Sequence, residues 1–147
     1  RTSYKPLCRK SIFETGSNSL DSTFGTASGY TLIDFGGVAD KLRSLHVLDN
    51  GKIIAVGEYT DSSDGNQIKS ALAMLNSDGS LDTTFNGTGK LQKEYHATEN
   101  NRLLRVAFLD GIIYAVGTVG SSTTQNHLLV ALNLDGTDHT GFNATGV

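Results

Sequence analysis

The residues best placed to do chemistry lie in one short stretch. Between Glu58 and Lys69 the chain carries Tyr59, Asp61, Asp64 and Asn66. An aromatic ring beside planar polar groups suits sugar recognition, because the ring offers an apolar face for stacking while carboxylates and amides bond the hydroxyls. These four are the candidate ligand-binding residues. The same stretch, Asp61-Ser62-Ser63-Asp64-Gly65-Asn66, is rich in oxygen but lacks the Asp-x-Asp-x-Asp-Gly order and distant glutamate of a calcium loop, so it reads as a polar loop.

Other patterns give no support to catalysis. The chain has no Gly-x-Ser-x-Gly elbow, and Asn86-Gly87-Thr88-Gly89-Lys90-Leu91 lacks both the early glycine and the Ser/Thr after lysine that a phosphate loop needs. His46, His96, His127 and His139 are not at metal-ligand spacing. Cys8 is the sole cysteine, so it has no internal partner for a disulfide and makes no cysteine-based metal site. A non-enzymatic protein with no cofactor and no metal is expected. The net charge is −3 and the bases are scattered, which argues against nucleic acid or an anionic membrane as partner. The longest apolar runs fall well short of the ~18 residues of a membrane span, so no membrane insertion is expected.

The elements that position the candidate loop are written twice. Leu20-Asp21-Ser22-Thr23-Phe24 returns as Leu81-Asp82-Thr83-Thr84-Phe85, with a worn third copy at Asp138-His139-Thr140-Gly141-Phe142. Lys41–Asp49 matches Arg102–Asp110, Ala55-Val56-Gly57 matches Ala115-Val116-Gly117, and Ala73–Ser80 matches Val130–Thr137. The offset falls from 61 at Leu48/Leu109 to 60 at Val56/Val116 and 57 at Leu75/Leu132, so the loop between Glu58 and Lys69 is three residues longer than its counterpart. A period of about sixty residues marks a repeat architecture, in which each unit has an apolar face that a neighbouring unit covers.

Within a unit four strands are expected. Tyr30–Phe35 and Lys90–His96 form the first, and Leu42–Leu48 and Leu103–Leu109 the second, where Leu45 and Val47 align with Val106 and Phe108 on a core face with period two. The third (Lys52–Thr60, Ile112–Val119) and fourth (Lys69–Asn76, His127–Asn133) are apolar almost throughout, which predicts cover on both faces. Asp49-Asn50-Gly51 and Asp110-Gly111 predict tight hairpins. Asp82 is read as holding a turn through its carboxylate, with Leu81 and Phe85 as plugs between units.

LDSTF and LDTTFNGTGK, then DNGKIIAVG, then ALAMLNSDGS resemble the bacterial delta-sixty repeat, over roughly Leu20 to Val147. The resemblance implies an all-β fold of β-propeller blades, each of four antiparallel strands, in an extracellular or cell-surface protein; it implies no catalytic residue and no particular ligand. It divides the chain into blade 1 (20–80), blade 2 (81–137), the start of a third repeat (138–147), and an N-terminal segment (1–19) that is an outer strand of an adjoining blade or the end of an upstream domain. Arg1 is not an initiator, so an upstream region is expected to precede it.

Propellers typically have about four to eight blades. Three chains of two blades make a six-bladed ring through a head-to-tail interface, so a homotrimer is expected. The functional expectation is a non-catalytic extracellular recognition or adhesion module, such as the tip of a trimeric fibre, with a cell-surface glycan or protein as partner. The other reading is a structural segment of a longer β-propeller without a ligand of its own.

Overall fold

The computed structural model describes residues 19–26 and 28–142. The N-terminal segment therefore lies outside the described residues except for Ser19, and the third repeat is described as far as Phe142. The elements are β1 (Asp40–Val47), β2 (Ile53–Asp61), β3 (Gln67–Leu75), β4 (Lys90–Lys93), β5 (Asn101–Leu109), β6 (Ile112–Gly120) and β7 (Gln125–Asn133), with one 3-10 turn at Ser62–Asp64. The described residues are thus all-β. They form a four-stranded sheet in the order β1-β2-β3-β4 and a three-stranded sheet in the order β5-β6-β7, with every neighbour antiparallel.

Local chemistry explains the hairpins. Asp110 and Gly111 both take positive φ, 50° and 84°, which gives the two-residue turn the twist of the strands it joins. At the first hairpin the amide of Lys52 donates to Asn50 Oδ1 at 3.0 Å and that of Leu48 to Lys52 O at 2.8 Å. The Asp-x-Ser/Thr signatures close the remaining turns by a shared device. Asp82 Oδ1 accepts from the amide and hydroxyl of Thr84 at 3.1 and 2.7 Å, and Asp21, Asp78 and Asp135 do the same for Thr23, Ser80 and Thr137.

The two sheets pack face to face. Ile54, Val56, Leu72, Met74 and Leu91 of the first sheet meet Leu103, Ile113, Ala115, Leu128, Val130 and Leu132 of the second, with Phe85 buried among them. A smaller cluster on the opposite face of sheet 1 joins Ala55, Ala73 and Leu75 to Ile33 and Phe35 of the preceding segment. Gly57 and Gly117 sit where the backbone of the neighbouring strand closes in. A Cβ at these positions would lie 1.9 Å from Lys41 O and 1.7 Å from Arg102 O, respectively. The register of both strand pairs slips beside these glycines, between Leu42 and Ser44 and between Leu103 and Arg105, so each Ala-Val-Gly signature marks a β-bulge.

Sheet 1 has the four strands expected of a blade, and sheet 2 has three among the described residues. Three expectations are corrected. The strand expected at Lys90–His96 ends at Lys93, and it pairs with β3 of the preceding repeat, Leu72 opposite Leu91. Its counterpart Tyr30–Phe35 forms no sheet strand among the described residues, only a bridge from Tyr30 to Gly25. Finally, Leu45 and Val47 are not core. They are 54% and 55% exposed, whereas Val106 and Phe108 on the matching strand pack against the core between the sheets. The alternation was read correctly, but a face becomes core only where another sheet lies on it.

Candidate functional site

The loop joining β2 to β3 is ordered by its own side chains. Asp61 caps the short 3-10 turn, accepting from the amide and hydroxyl of Ser63 at 2.9 and 2.6 Å; Gly65 closes it at φ 60°, and Asn66 follows, also left-handed, at φ 65°. Lys69 comes back from β3 into the middle of three carboxylates. Its ammonium lies 3.1 Å from Asp61, 2.9 Å from Asp64 and 3.1 Å from Glu94, the last contributed from beyond β4. The side chain of Lys69 is only 11% exposed, so this contact is tighter than an ordinary surface pair. Asp64, Glu94 and Asp61, in that order, raise the ammonium pKa, so the group is charged at any ordinary pH. The Asp61 carboxyl is held below its usual range, first by the Ser63 hydroxyl and then by Lys69.

The four sequence-selected residues are thus brought together, but with different roles. Tyr59 is buried, its ring stacked at 6.3 Å on Phe35, and burial raises the pKa of its hydroxyl. It presents no open ring face for stacking. Asp61 and Asp64 are engaged by Lys69, while Asp64 and Asn66 stand at the exposed rim. In the second repeat the corresponding connection is neutral: the Ser121 hydroxyl bonds those of Thr123 and Thr124 at 3.1 and 2.9 Å. The charged, extended loop is therefore a property of the first repeat alone.

Sequence reasoning passed over a second charged centre. Glu58 is 3% exposed, within a strand that otherwise reads as apolar, and its carboxylate lies 2.8 Å from Arg43, 3.3 Å from Arg102 and 3.7 Å from Lys41. Arg102 belongs to the other sheet, so this contact ties the two together electrostatically. The signal was a lone carboxylate directly after Ala-Val-Gly in an apolar run, since such a group is buried only when paired. Nearby, Asn101 is fully buried and its Oδ1 accepts from the amide of Ser70 at 3.3 Å, again across the sheets. No group of three or more His, Cys, Asp or Glu is arranged to hold a metal among the described residues. Nor is any helix among them long and apolar enough to cross a membrane.

The turn carboxylate Asp82 gives a pH-dependent prediction. Its pKa is lowered, first by the hydrogen bond from Lys52 at 2.6 Å and then by the Thr84 hydroxyl. A carboxyl whose folded pKa lies below its unfolded value contributes fully above the unfolded value, and that contribution is lost as pH falls through the folded one. Urea midpoints measured between about pH 6 and pH 2 are therefore expected to fall less steeply for Asp82→Asn than for the unaltered chain. Equal slopes would show that the Lys52 contact adds no stability.

Comparison with protein families finds one match, over residues 48–85, to a domain of unknown function (DUF5122) described as a β-propeller. The matched stretch runs from the β1–β2 hairpin through β2 and β3 to Phe85, which is the core of sheet 1 and its exit turn. The chain carries a β-propeller-type repeat. The two packed antiparallel sheets accord with blades of such a propeller, and the internal repetition places the second blade after the first. No curated protein and no solved structure matches the chain.

Proposed function

We propose that this chain is a non-catalytic extracellular or cell-surface recognition module, built of delta-sixty-type blades that close into a six-bladed ring from three copies. One observation carries the reading: each outer face exposes the very positions that the internal interface buries. Leu42 is 62% exposed while its counterpart Leu103 is fully buried, and Val116 and Leu129 are each 43% exposed while their counterparts Val56 and Leu72 are 1% and 0%. The outer faces are therefore the two halves of an interface already present inside the molecule. A head-to-tail contact of this kind closes into a ring when the rotation per blade divides the circle. The ligand-facing element is the rim of the long β2–β3 loop, where Asp64 and Asn66 offer planar polar groups to glycan hydroxyls.

Light scattering over a range of concentrations is expected to give three times the 15.6 kDa chain mass. On a glycan array, the Asn66→Gly variant, which keeps the positive φ and removes the amide, is expected to lose the signal of the unaltered chain. A monomer at every concentration would favour the second reading, a structural segment of a longer propeller whose further repeats cover the same faces. Binding unchanged in Asn66→Gly would remove the loop as the site.

A further inference from the structure

The most informative unfinished feature is a pair of backbone edges, one at each end of the two-sheet unit. In sheet 1, β3 is completed by β4, a strand from the following repeat, with Ser70 opposite Lys93, Ala71 opposite Gln92 and Leu72 opposite Leu91. In sheet 2, β7 has no such partner among the described residues. The amide of His139 donates to Ala131 O at 2.9 Å, as that of Asp82 does to Met74 O at 2.8 Å, so Ala131 points its backbone groups to the outer edge. By the period of two, Leu129 and His127 do so as well. Leu128 and Leu129 correspond to Ala71 and Leu72, the residues that β4 pairs with.

At the other end lies a segment already held as a fourth strand without a sheet. Gly29 and Gly89 correspond: both have positive φ, 74° and 79°, and a Cβ on either would strike the Cβ of Leu20 or Leu81, themselves counterparts. Thr31, Leu32 and Ile33 therefore stand where Leu91, Gln92 and Lys93 stand in the next repeat. The amide of Phe35 donates to Asp40 Oδ2 at 2.9 Å, which repeats the bond from Tyr95 to Asn101 Oδ1 at 3.4 Å. Ile33 and Phe35 pack on Ala55, Ala73 and Leu75, much as Tyr95 packs on the core between the sheets. The segment is thus fixed against sheet 1 as β4 is fixed against sheet 2. Its outward side chain, Leu32, is 85% exposed.

We infer that the seam between copies is closed by strand addition: Thr31–Ile33 of one copy pairs antiparallel with His127–Leu129 of a second copy, Thr31 opposite Leu129. This rests on the ring reading above and specifies how its interface is made. The second copy is the occupant because the described residues of a single chain present both an edge without a strand partner among them and the preformed strand, and because the surrounding apolar faces are halves of one interface. Each partner contributes backbone groups that alternate in register, so affinity comes from main-chain hydrogen bonds and from the apolar faces stacked behind them. Inside the molecule Asn101 Oδ1 also takes the amide of Ser70; at the seam Asp40 takes that of His127 in the same way.

The test is a disulfide in the named register, in a chain carrying Cys8→Ser. Residues directly opposite in a hydrogen-bonded antiparallel pair have Cα atoms about 5.5 Å apart, within disulfide reach. Oxidised Thr31→Cys/Leu129→Cys is expected to run as covalent trimers without reductant. Thr31→Cys/Leu128→Cys, one residue out of register and on the opposite face, is expected to stay single-chain. A species of trimer mass that forms no cross-link in the first variant overturns the strand pairing and leaves the ring standing; a monomeric mass overturns both. Amide exchange on the otherwise unaltered chain serves if the cysteine variants fail to fold. Protection at His127 and Leu129 should rise with concentration. Protection already present in the monomer would assign the edge to another part of the same chain and overturn the proposal.

Discussion

Phe85→Ala is expected to lower the unfolding free energy by about 3–5 kcal/mol, the range for deleting a large aromatic side chain from a packed interior. Phe85 is fully buried between the sheets, and its ring fills the space left by the missing side chain of Gly136, where a Cβ would come within 3.2 Å. Its backbone is also pinned, the amide donating to Asp82 O at 3.0 Å and the carbonyl accepting from Gly89 at 2.8 Å, so the site has little freedom to collapse. The same residue of the worn third copy, Phe142, is half-buried against Tyr114. Phe142→Ala should therefore cost only about 1–2 kcal/mol, in proportion to the smaller area removed from water. Denaturant unfolding of the two variants side by side decides the matter, and equal losses would show that Phe85 is no plug between blades.

Gly117→Val carries the second large effect. With a Cβ 1.7 Å from Arg102 O, no rotamer relieves the clash, because the obstacle is backbone. The strand pair must open at the bulge or slip in register, at a cost of about 3 kcal/mol, the upper part of the range for overpacking. Gly111→Ala makes a useful comparison. There φ is 84° but a Cβ would meet nothing within 4 Å, so the cost is the left-handed backbone alone, about 1–2 kcal/mol. If thermal unfolding ranked Gly111→Ala as the worse variant, the close approach at the bulge would not be what the Ala-Val-Gly signature preserves.

Much of the fold was legible in the chain because repetition made each local signal visible twice. Strands β2, β3, β6 and β7 fall within a few residues of their expected places, since apolar runs bounded by Asn-Gly and Asp-Gly have few other readings. Two kinds of information were beyond the pattern. Hydrophobic alternation says that Leu45 and Val106 share a face type but not that only the second finds a neighbouring sheet. Nor does it say which sheet a strand joins, and Lys90–Lys93 joins the one before it.

The candidate loop was legible as a departure from symmetry, and the structure brings Tyr59, Asp61, Asp64 and Asn66 together there. What spacing alone did not supply was direction. Strand alternation turns the Tyr59 ring inward onto Phe35, and Lys69 reaches carboxylates that come from both sides of it in sequence. Glu58, Arg43 and Arg102 were unreadable as a set because Arg102 reaches Glu58 only after the sheets have packed.

The pairing of β4 with β3 puts the repeat in the sequence out of phase with the sheet in space. During synthesis the first sheet is therefore incomplete when the ribosome finishes the first repeat at Ser80, and it closes only after Lys93 has emerged with the opening of the second. A nascent chain halted at the repeat boundary would leave β3 with a bare edge, the kind of template that recruits strands from other chains. Trimming such a protein repeat by repeat cuts through sheets, and the first complete sheet is bounded instead just after Lys93.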